Sequence, residues 1–141
     1  MPLTTQLSRN ICSNVHAGIN GGETVLVVGA GLIGLLVVQA LKAAGAARVY
    51  ASDLDEKRLL LAQELGAEEA WLPDQTYDNI MNLTDGKGAD VVMEVVGIEP
   101  TINQAIKCVR NGGAIGCVGN LAPTVNISLQ QIVTREISLY G

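Results

Sequence analysis

Aromatic and charged side chains are scarce in this sequence of 141 residues. It has no phenylalanine and one tryptophan, and charged residues make up 16% of the chain against 48% hydrophobic residues. Without large aromatic rings, the core must be built from small and β-branched side chains, as close packing of helices on a sheet requires. The length corresponds to a single domain that is large enough to bury a core.

Positive charge is also scarce, because 9 lysine and arginine residues stand against 14 aspartate and glutamate residues, for a formal net charge of −5. A surface with this balance argues against binding to nucleic acid or to an anionic membrane. Any phosphate group that the chain binds would therefore be held by backbone amides rather than by a basic patch.

Cysteine and histidine are too few and too dispersed to predict a metal or catalytic cluster. The cysteines Cys12, Cys108 and Cys117 form no C-x-x-C pair, and His16 is the one histidine. This pattern favours buried structural thiols in a reducing compartment over a metal site or a catalytic triad. The first residues have neither the basic start nor the apolar segment of a signal peptide, so we expect a cytoplasmic protein.

What the sequence does contain is a short apolar run, 24–28, followed by three spaced glycines and a second apolar stretch. Gly29, Gly31 and Gly34 form the pattern G-x-G-x-x-G between a predicted strand and a predicted helix. The first glycine permits a tight turn, the second leaves room for a pyrophosphate, and the third lets the helix lie against the strand. The unpaired N–H groups that begin the helix suit a diphosphate.

A second predicted strand, 48–52, ends directly before Asp53. Asp53 follows Gly34 by roughly 20 residues, the offset of the carboxylate that binds a ribose diol in dinucleotide-binding folds. Asp55 is better placed as the N-cap of the next helix. The glycine pattern, the strand and Asp53 together predict a dinucleotide site.

Two other interpretations of this stretch remain open. Thr24 and Gln39 are the only polar side chains in the range 24–41, so a transmembrane helix has to be considered. The clustered glycines, the absence of a basic flank and the continuing strand–helix pattern argue against it. The second alternative is a fold of the same kind that binds no dinucleotide.

Strands and helices alternate along the whole sequence. The pattern predicts helices over 2–17, 32–44, 55–65, 74–83 and 99–109 and a helical turn over 130–134, with helix 32–44 apolar almost all round and therefore deeply covered. It predicts strands over 24–28, 48–52, 68–72, 89–96, 114–119 and 136–140, with a further short candidate over 125–128. We therefore expect an α/β fold in one domain, 1–141, with a doubly wound parallel six-stranded sheet and a ligand across the carboxyl ends of the strands.

Five segments carry a resemblance to a known family. The segments 22–34, 51–58, 62–67, 88–97 and 112–119 resemble, in order and spacing, the cofactor-binding Rossmann domain of the medium-chain dehydrogenases, and most closely that of the zinc-dependent alcohol and polyol dehydrogenases. The resemblance extends over almost the whole chain.

The resemblance implies NAD as the cofactor and assigns residues to it. Leu32 and Ile33 would donate backbone amides to the pyrophosphate, and Asp53, with Leu54 and Arg58 nearby, would bind the adenosine ribose. The residues that would line the path to the nicotinamide and contact its ring are Val95, Val96, Gly97, Cys117, Val118 and Gly119. The segment 125–128 corresponds to an edge that pairs across a two-fold axis in dimeric members, so a homodimer is expected.

The family's zinc ligands do not occur in this sequence, which has no Gly-His-Glu motif and no cysteine quartet. We therefore expect zinc, and the catalytic residues, only in a catalytic domain outside this chain, and this chain to be an excised or truncated cofactor domain without activity of its own. A stand-alone module that senses NAD, and a methyltransferase-like nucleoside binder, are the alternatives that use the same glycine turn and ribose carboxylate.

Overall fold

The structure, a computed structural model, describes residues 21–141. The helix expected over 2–17, with Cys12 and His16, lies outside the described residues.

Six strands and five helices alternate along this part of the chain. The strands are β1 Thr24–Val28, β2 Arg48–Ser52, β3 Glu69–Trp71, β4 Ala89–Glu94, β5 Val109–Cys117 and β6 Ser138–Tyr140. The helices are α1 Leu32–Ala43, α2 Glu56–Glu64, α3 Pro73–Leu83, α4 Glu99–Cys108 and α5 Leu129–Thr134. All neighbouring strands are parallel, in the order β3-β2-β1-β4-β5-β6. The predicted α/β fold with a parallel six-stranded sheet is therefore confirmed.

The central strand β1 is buried on both faces of the sheet. Val25 and Val27 lie in the core that contains the buried side chains of α1, whereas Leu26 and Val28 lie in the core that contains those of α4. Successive strand residues point to opposite faces, so a strand covered by helices on both sides has to be apolar throughout. The strand order reverses between β1 and β4, and a ligand cleft forms at such a point in open α/β sheets.

Most predicted boundaries agree with the structure within two residues, and β5 is the main exception. The strand begins at Val109, immediately after α4, instead of at residue 114, so the glycine pair at 112–113 lies inside it. Gly112 has a positive φ of 72° and donates its N–H to the carbonyl of Arg135. The register with β4 also shifts between Ala89 and Val91, so this part of β5 is irregular.

The prediction of a short strand over 125–128 is wrong, because these residues have no regular secondary structure. Here the backbone forms hydrogen bonds with side chains of α4 in place of the bonds that a strand forms with the backbone of a neighbouring strand. The N–H of Asn126 donates to Glu99 Oε1 at 2.7 Å, and its carbonyl accepts from Asn103 Nδ2 at 3.0 Å. The last strand in the order of the sheet is β6.

Helix α1 is covered along its middle, 34–41, but exposed at both ends. Val37, Val38 and Leu41 are buried as expected, but Leu32 is 76% exposed and Ile33 is 43% exposed. The expectation of a deeply covered helix was thus wrong for its first turn, which lies at the open carboxyl edge of the sheet. Within residues 21–141, no helix combines the length and the apolar content that crossing a membrane requires.

Candidate functional site

The glycine turn between β1 and α1 places three glycines in three different environments. Gly29 has a φ of 106° and donates its N–H to the carbonyl of Ser52 at 2.8 Å, which ties the turn to β2. A Cβ atom on Gly34 would lie 1.9 Å from the carbonyl oxygen of Gly29, so close packing of α1 on the turn excludes any larger residue. A Cβ atom on Gly31 would meet nothing within 4 Å.

Helix α1 begins with an open amino end. Gly31 is its N-cap and offers no side chain, and the first turn contains no acidic residue. The first amides of a helix have no partner within it, and they carry the positive end of the helix dipole. The side chains of Leu32 and Ile33 project outward and supply no acceptor of their own. The turn can therefore bind an anion through backbone N–H groups.

Asp53 lies directly beside this turn. Its Oδ2 accepts the N–H of Ala30 at 2.7 Å, and its Oδ1 accepts the N–H of Asp55 at 2.9 Å. An ionised carboxylate has about four acceptor positions, so these two bonds leave acceptor capacity on both oxygens. The carboxylate is held in place but remains able to bind further donors.

Arg58 lies over the acidic end of β2 without neutralising it through a close ion pair. Its Nη1 is 3.9 Å from Asp53 Oδ1, and its Nε is 4.0 Å from Asp55 Oδ2. The Arg58 side chain is 55% exposed, so solvent screens both contacts. Asp55 itself caps α2, as predicted, by accepting the N–H of Lys57 at 2.9 Å.

Two open clefts follow the carboxyl edge of the sheet and share Gly29, Asp53, Arg58 and Val96. The first, of about 690 Å³, lies between the ends of β1 and β2 and the start of α4. The second, of about 600 Å³, lies between the glycine turn and the segments that follow β4 and β5. The predicted site residues that line them are Gly29, Gly31, Leu32, Ile33, Gly34, Asp53, Leu54, Arg58, Val95, Val96, Val118 and Gly119.

Gly97 and Cys117 do not line either cleft. Gly97 packs against Gly119, since a Cβ on Gly119 would lie 2.3 Å from the N atom of Gly97. Cys117 is half-buried beside Glu94, and burial, followed by the negative charge of Glu94, raises the pKa of its thiol. Each of them directly neighbours, along the chain, a residue that lines the second cleft, Val96 or Val118.

Glu94 is the residue at this site that sequence reasoning missed. It ends β4, is 1% exposed, and accepts the N–H groups of Val96 and Gly97 on Oε1 at 2.9 and 2.8 Å. A signal was present in the sequence, because Glu94 is the one charged side chain in the apolar run 91–96. A charged residue in such a run is rarely buried without hydrogen-bond partners.

The described residues do not fit a zinc ion. Within residues 21–141, no group of three or more His, Cys, Asp or Glu side chains is close enough to hold a metal ion. A zinc site needs at least three converging protein ligands.

Comparison with known proteins gives consistent matches. Residues 33–141 match the family described as zinc-binding dehydrogenase. The chain is 41% identical over 135 residues to an L-threonine 3-dehydrogenase of Bacillus licheniformis, covering 94% of this chain and 39% of that protein. It is 34% identical over 144 residues to a sorbitol dehydrogenase of Ovis aries, covering 99% of this chain and 40% of that protein.

Solved structures agree with these relatives. A 2R,3R-butanediol dehydrogenase from Bacillus subtilis superimposes with a TM-score of 0.83 at 30% identity, covering 100% of this chain and 44% of that one. A protein described as a zinc-binding dehydrogenase from Sinorhizobium meliloti 1021, solved bound to NADP, gives a TM-score of 0.77 at 30% identity, covering 96% of this chain and 42% of that one. The chain thus spans about two fifths of the length of the curated relatives. By the extent of these matches, this chain belongs to the zinc-binding dehydrogenase family.

Proposed function

We propose that this chain is the NAD(H)-binding domain of a zinc-dependent alcohol or polyol dehydrogenase. Family membership and the groove along the carboxyl edge of the sheet support this proposal. When bound, the nicotinamide accepts or donates a hydride at C4. The alcohol and the zinc would be held by a part of the protein outside residues 21–141, and the task of this chain is to bind and orient the dinucleotide.

The observation that carries the proposal is the open space around Gly31. Its backbone, at φ −71° and ψ −168°, is extended and open to any residue, so the conformation does not require glycine. Packing within the described residues does not require glycine either, because a Cβ would meet nothing within 4 Å. A pyrophosphate bound against the turn does require glycine at position 31, because a Cβ atom would keep the ligand away from the backbone amides.

The residues around Gly31 supply complementary groups. The amides of Leu32 and Ile33, at the positive end of α1, would donate to the pyrophosphate oxygens. Asp53 would accept the hydroxyl groups of the adenosine ribose with the acceptor positions that Ala30 and Asp55 leave available. The path to the nicotinamide is proposed to be lined by Val95, Val96, Val118 and Gly119. Gly97 and Cys117 line neither cleft and are proposed to stand behind this lining.

We infer a preference for NAD over NADP from the charges at the ribose position. A 2′-phosphate would meet the carboxylate of Asp53, which is fixed by two backbone amides and cannot turn away without breaking both bonds. Arg58 is 55% exposed and therefore accessible to a phosphate, but it lies beside two carboxylates. The balance of charge at this end of the groove therefore favours an uncharged hydroxyl.

Calorimetric titration of this chain with NAD and NADP, for the wild type and for Gly31→Ala, tests the proposal. We expect NAD to bind more tightly than NADP, and Gly31→Ala to lose at least about tenfold in NAD affinity, about 1.4 kcal/mol. Unfolding in urea should give the same midpoint for both proteins or a slightly higher one for the variant, because the added methyl group meets no protein atom.

Three results would contradict parts of the proposal. Unchanged NAD affinity in Gly31→Ala would remove the argument from open space. Tighter binding of NADP would overturn the cofactor preference. Binding of an S-adenosyl compound in place of NAD would select a nucleoside-binding function of the methyltransferase type.

We further propose a homodimer, formed at the end of the sheet where β6 lies. Leu129 and Val133 on α5 are 69% and 67% exposed, and Leu139 on β6 is 39% exposed. A second copy could cover these apolar side chains and extend the sheet. Sedimentation of the wild type and Val133→Lys should show a dimer for the first and a shift to monomer for the second, and a monomeric wild type would reject the dimer.

The free thiols of Cys108 and Cys117 support a reducing, cytoplasmic setting.

A further inference from the structure

Glu94 joins the two segments that form the wall of the second cleft. Its side-chain Oε1 accepts the N–H groups of Val96 and Gly97, which follow β4. Its backbone carbonyl accepts the N–H groups of Val118 and Gly119, which follow β5, at 2.9 and 3.0 Å. One buried residue therefore holds both segments at the carboxyl edge of the sheet.

The two segments are in close contact along their length. The N–H of Ala122 donates to the carbonyl of Gly97 at 2.8 Å, and the N–H of Leu121 donates to that of Val96 at 3.3 Å. A Cβ on Gly97, whose φ is 82°, would lie 2.3 Å from the N atom of Asn120. There is no spare room between the segments, so a shift of one has to move the other.

The segment after β4 also contacts the glycine turn. A Cβ on Gly29 would lie 2.7 Å from Cγ2 of Val96 and 2.8 Å from Cγ2 of Val95. Val95 also stands 3.2 Å from the position of a Cβ on Gly34. Two valines thus set the distance between the turn and the opposite wall of the second cleft. Glu94 holds the backbone N–H of Val96, whereas that of Val95 donates to the carbonyl of Val28 in β1.

We propose that Glu94 is a positioning residue that sets the width of the second cleft, which would hold the nicotinamide half of the cofactor. This inference rests on the proposed function. Glu94 is 1% exposed and lines neither cleft, so it acts through the backbone of Val96, Gly97, Val118 and Gly119 and does not touch the cofactor. The first cleft, which would hold the adenosine, is lined mainly by the ends of β1 and β2 and the starts of α2 and α4. Among the four residues whose backbone Glu94 bonds, Val96 alone lines it.

The test compares a whole ligand with a half ligand. Calorimetry of this chain with NAD and with AMP separates the two parts of the groove, because AMP requires only the Asp53 side. We expect Glu94→Ala to bind NAD at least about tenfold more weakly and AMP within about twofold of the wild type. Glu94→Gln keeps an oxygen at the Oε1 position and should restore most of the NAD affinity.

Asp90→Ala is the matched control, because Asp90 lies near the start of the same strand. The Asp90 carboxylate accepts the backbone N–H of Thr24 at 2.9 Å and the Nε–H of Arg110 at 2.8 Å, and it lines neither cleft of the groove. This variant should unfold at lower urea concentration while the ratio of NAD to AMP affinity stays unchanged. A loss of stability alone therefore does not produce the expected result.

Should Glu94→Ala fail to fold, Glu94→Asp replaces it, since the shorter side chain keeps the charge but withdraws the oxygen from both amides. We expect it to weaken NAD selectively as well. An equal loss of NAD and AMP affinity in the Glu94 variants, or NAD affinity equal to that of the wild type, would overturn the inference. Absence of NAD binding by the wild-type chain would instead reject the proposed function, so the two failures are distinguishable.

Discussion

The carboxylate of Asp53 accepts the backbone N–H of Ala30 at 2.7 Å, which joins the end of β2 to the glycine turn at its middle residue. Ala30 is fully buried, so this bond cannot be exchanged for one to water when the groove is empty. The group proposed to bind the ribose and the turn proposed to bind the pyrophosphate are therefore fixed relative to each other before any ligand arrives. Such preorganisation lowers the entropy lost on binding.

Asp53→Asn should weaken NAD binding by about 1.5–3 kcal/mol, because a charged hydrogen-bond acceptor for the ribose becomes a neutral one. NADP affinity should fall less, or rise, because the repulsion of a 2′-phosphate is removed. Calorimetric titration with both cofactors measures the change in preference.

The control for this prediction is Asp55→Ala, which removes the other carboxylate near Arg58. Asp55 caps α2, so its loss should cost about 1 kcal/mol of stability and leave the NAD preference intact. An equal change of preference in both variants would mean that total charge, rather than the position of Asp53, decides the cofactor.

The number of strands and most of their bounds could be predicted from the sequence, because buried parallel strands leave continuous apolar runs between glycine and proline signals. The range 24–28 was predicted without error because the glycine turn marks its end. The segment 125–128 alternates apolar and polar residues, which also suits a strand, but whether it forms one depends on a neighbouring strand. Here Glu99 and Asn103 bond the backbone of Asn126 instead, which no local pattern reveals.

The candidate site, like the fold, could be predicted only where a local pattern in the sequence marks it. The glycines and Asp53 follow fixed spacings along the chain, so sequence alone brings them together. Glu94 links its neighbours Val96 and Gly97 to the segment after β5, which lies near it only in the folded chain. Arg135 likewise contacts residues more than twenty positions away. No spacing rule identifies contacts of this kind.

Gly34→Ala should destabilise the fold by about 1–3 kcal/mol or more, because its methyl group would overlap the carbonyl oxygen of Gly29. Gly31→Ala, three residues earlier, should leave the stability unchanged or raise it slightly. Urea unfolding of both variants followed by circular dichroism measures the difference. Equal stability of the two would show that the turn can move away from α1 at little cost.

Arg135→Met should destabilise the chain by about 2–3 kcal/mol, because it leaves polar groups at the end of α4 without their donor. The guanidinium donates to the carbonyl of Ile106 at 2.7 Å, to that of Val109, and to Asn111 Oδ1 at 2.9 Å. Arg135→Lys should recover only part of the loss, since an ammonium group cannot reach all three acceptors in one plane.

Arg110→Met is the comparison for Arg135, since it removes an arginine with a mainly electrostatic role. The ion pair of Arg110 with Asp90, at 2.8 Å, joins two side chains that are 42% and 35% exposed. Its loss should cost less than about 1 kcal/mol. A larger loss of stability for Arg110→Met than for Arg135→Met, measured by urea unfolding, would contradict the role of Arg135 as the donor that stabilises the end of α4.

Cys108 should make the fold less stable at alkaline pH. Burial raises the pKa of its thiol from its usual value of 9.0 to about 12, with small opposing effects of Lys107 and Arg135. Below pH 9 the thiol is protonated in both the folded and the unfolded chain, and stability is unaffected. Between pH 9 and about 12 the unfolded chain loses the proton while the folded chain keeps it, so the free energy of unfolding falls as pH rises.

Urea unfolding at pH 8, 9, 10 and 10.5 should therefore show a slope that becomes shallower in Cys108→Ala by up to about 1.4 kcal/mol per pH unit. A residual slope should remain, because burial also raises the pKa of Cys117 and that of Tyr50. Ile106→Val is the control, since it removes a methyl group from the same core and should lower stability equally at every pH. The same slope in Cys108→Ala as in the wild type would show that Cys108 ionises without unfolding, and hence that its pocket opens to water while the sheet stays intact.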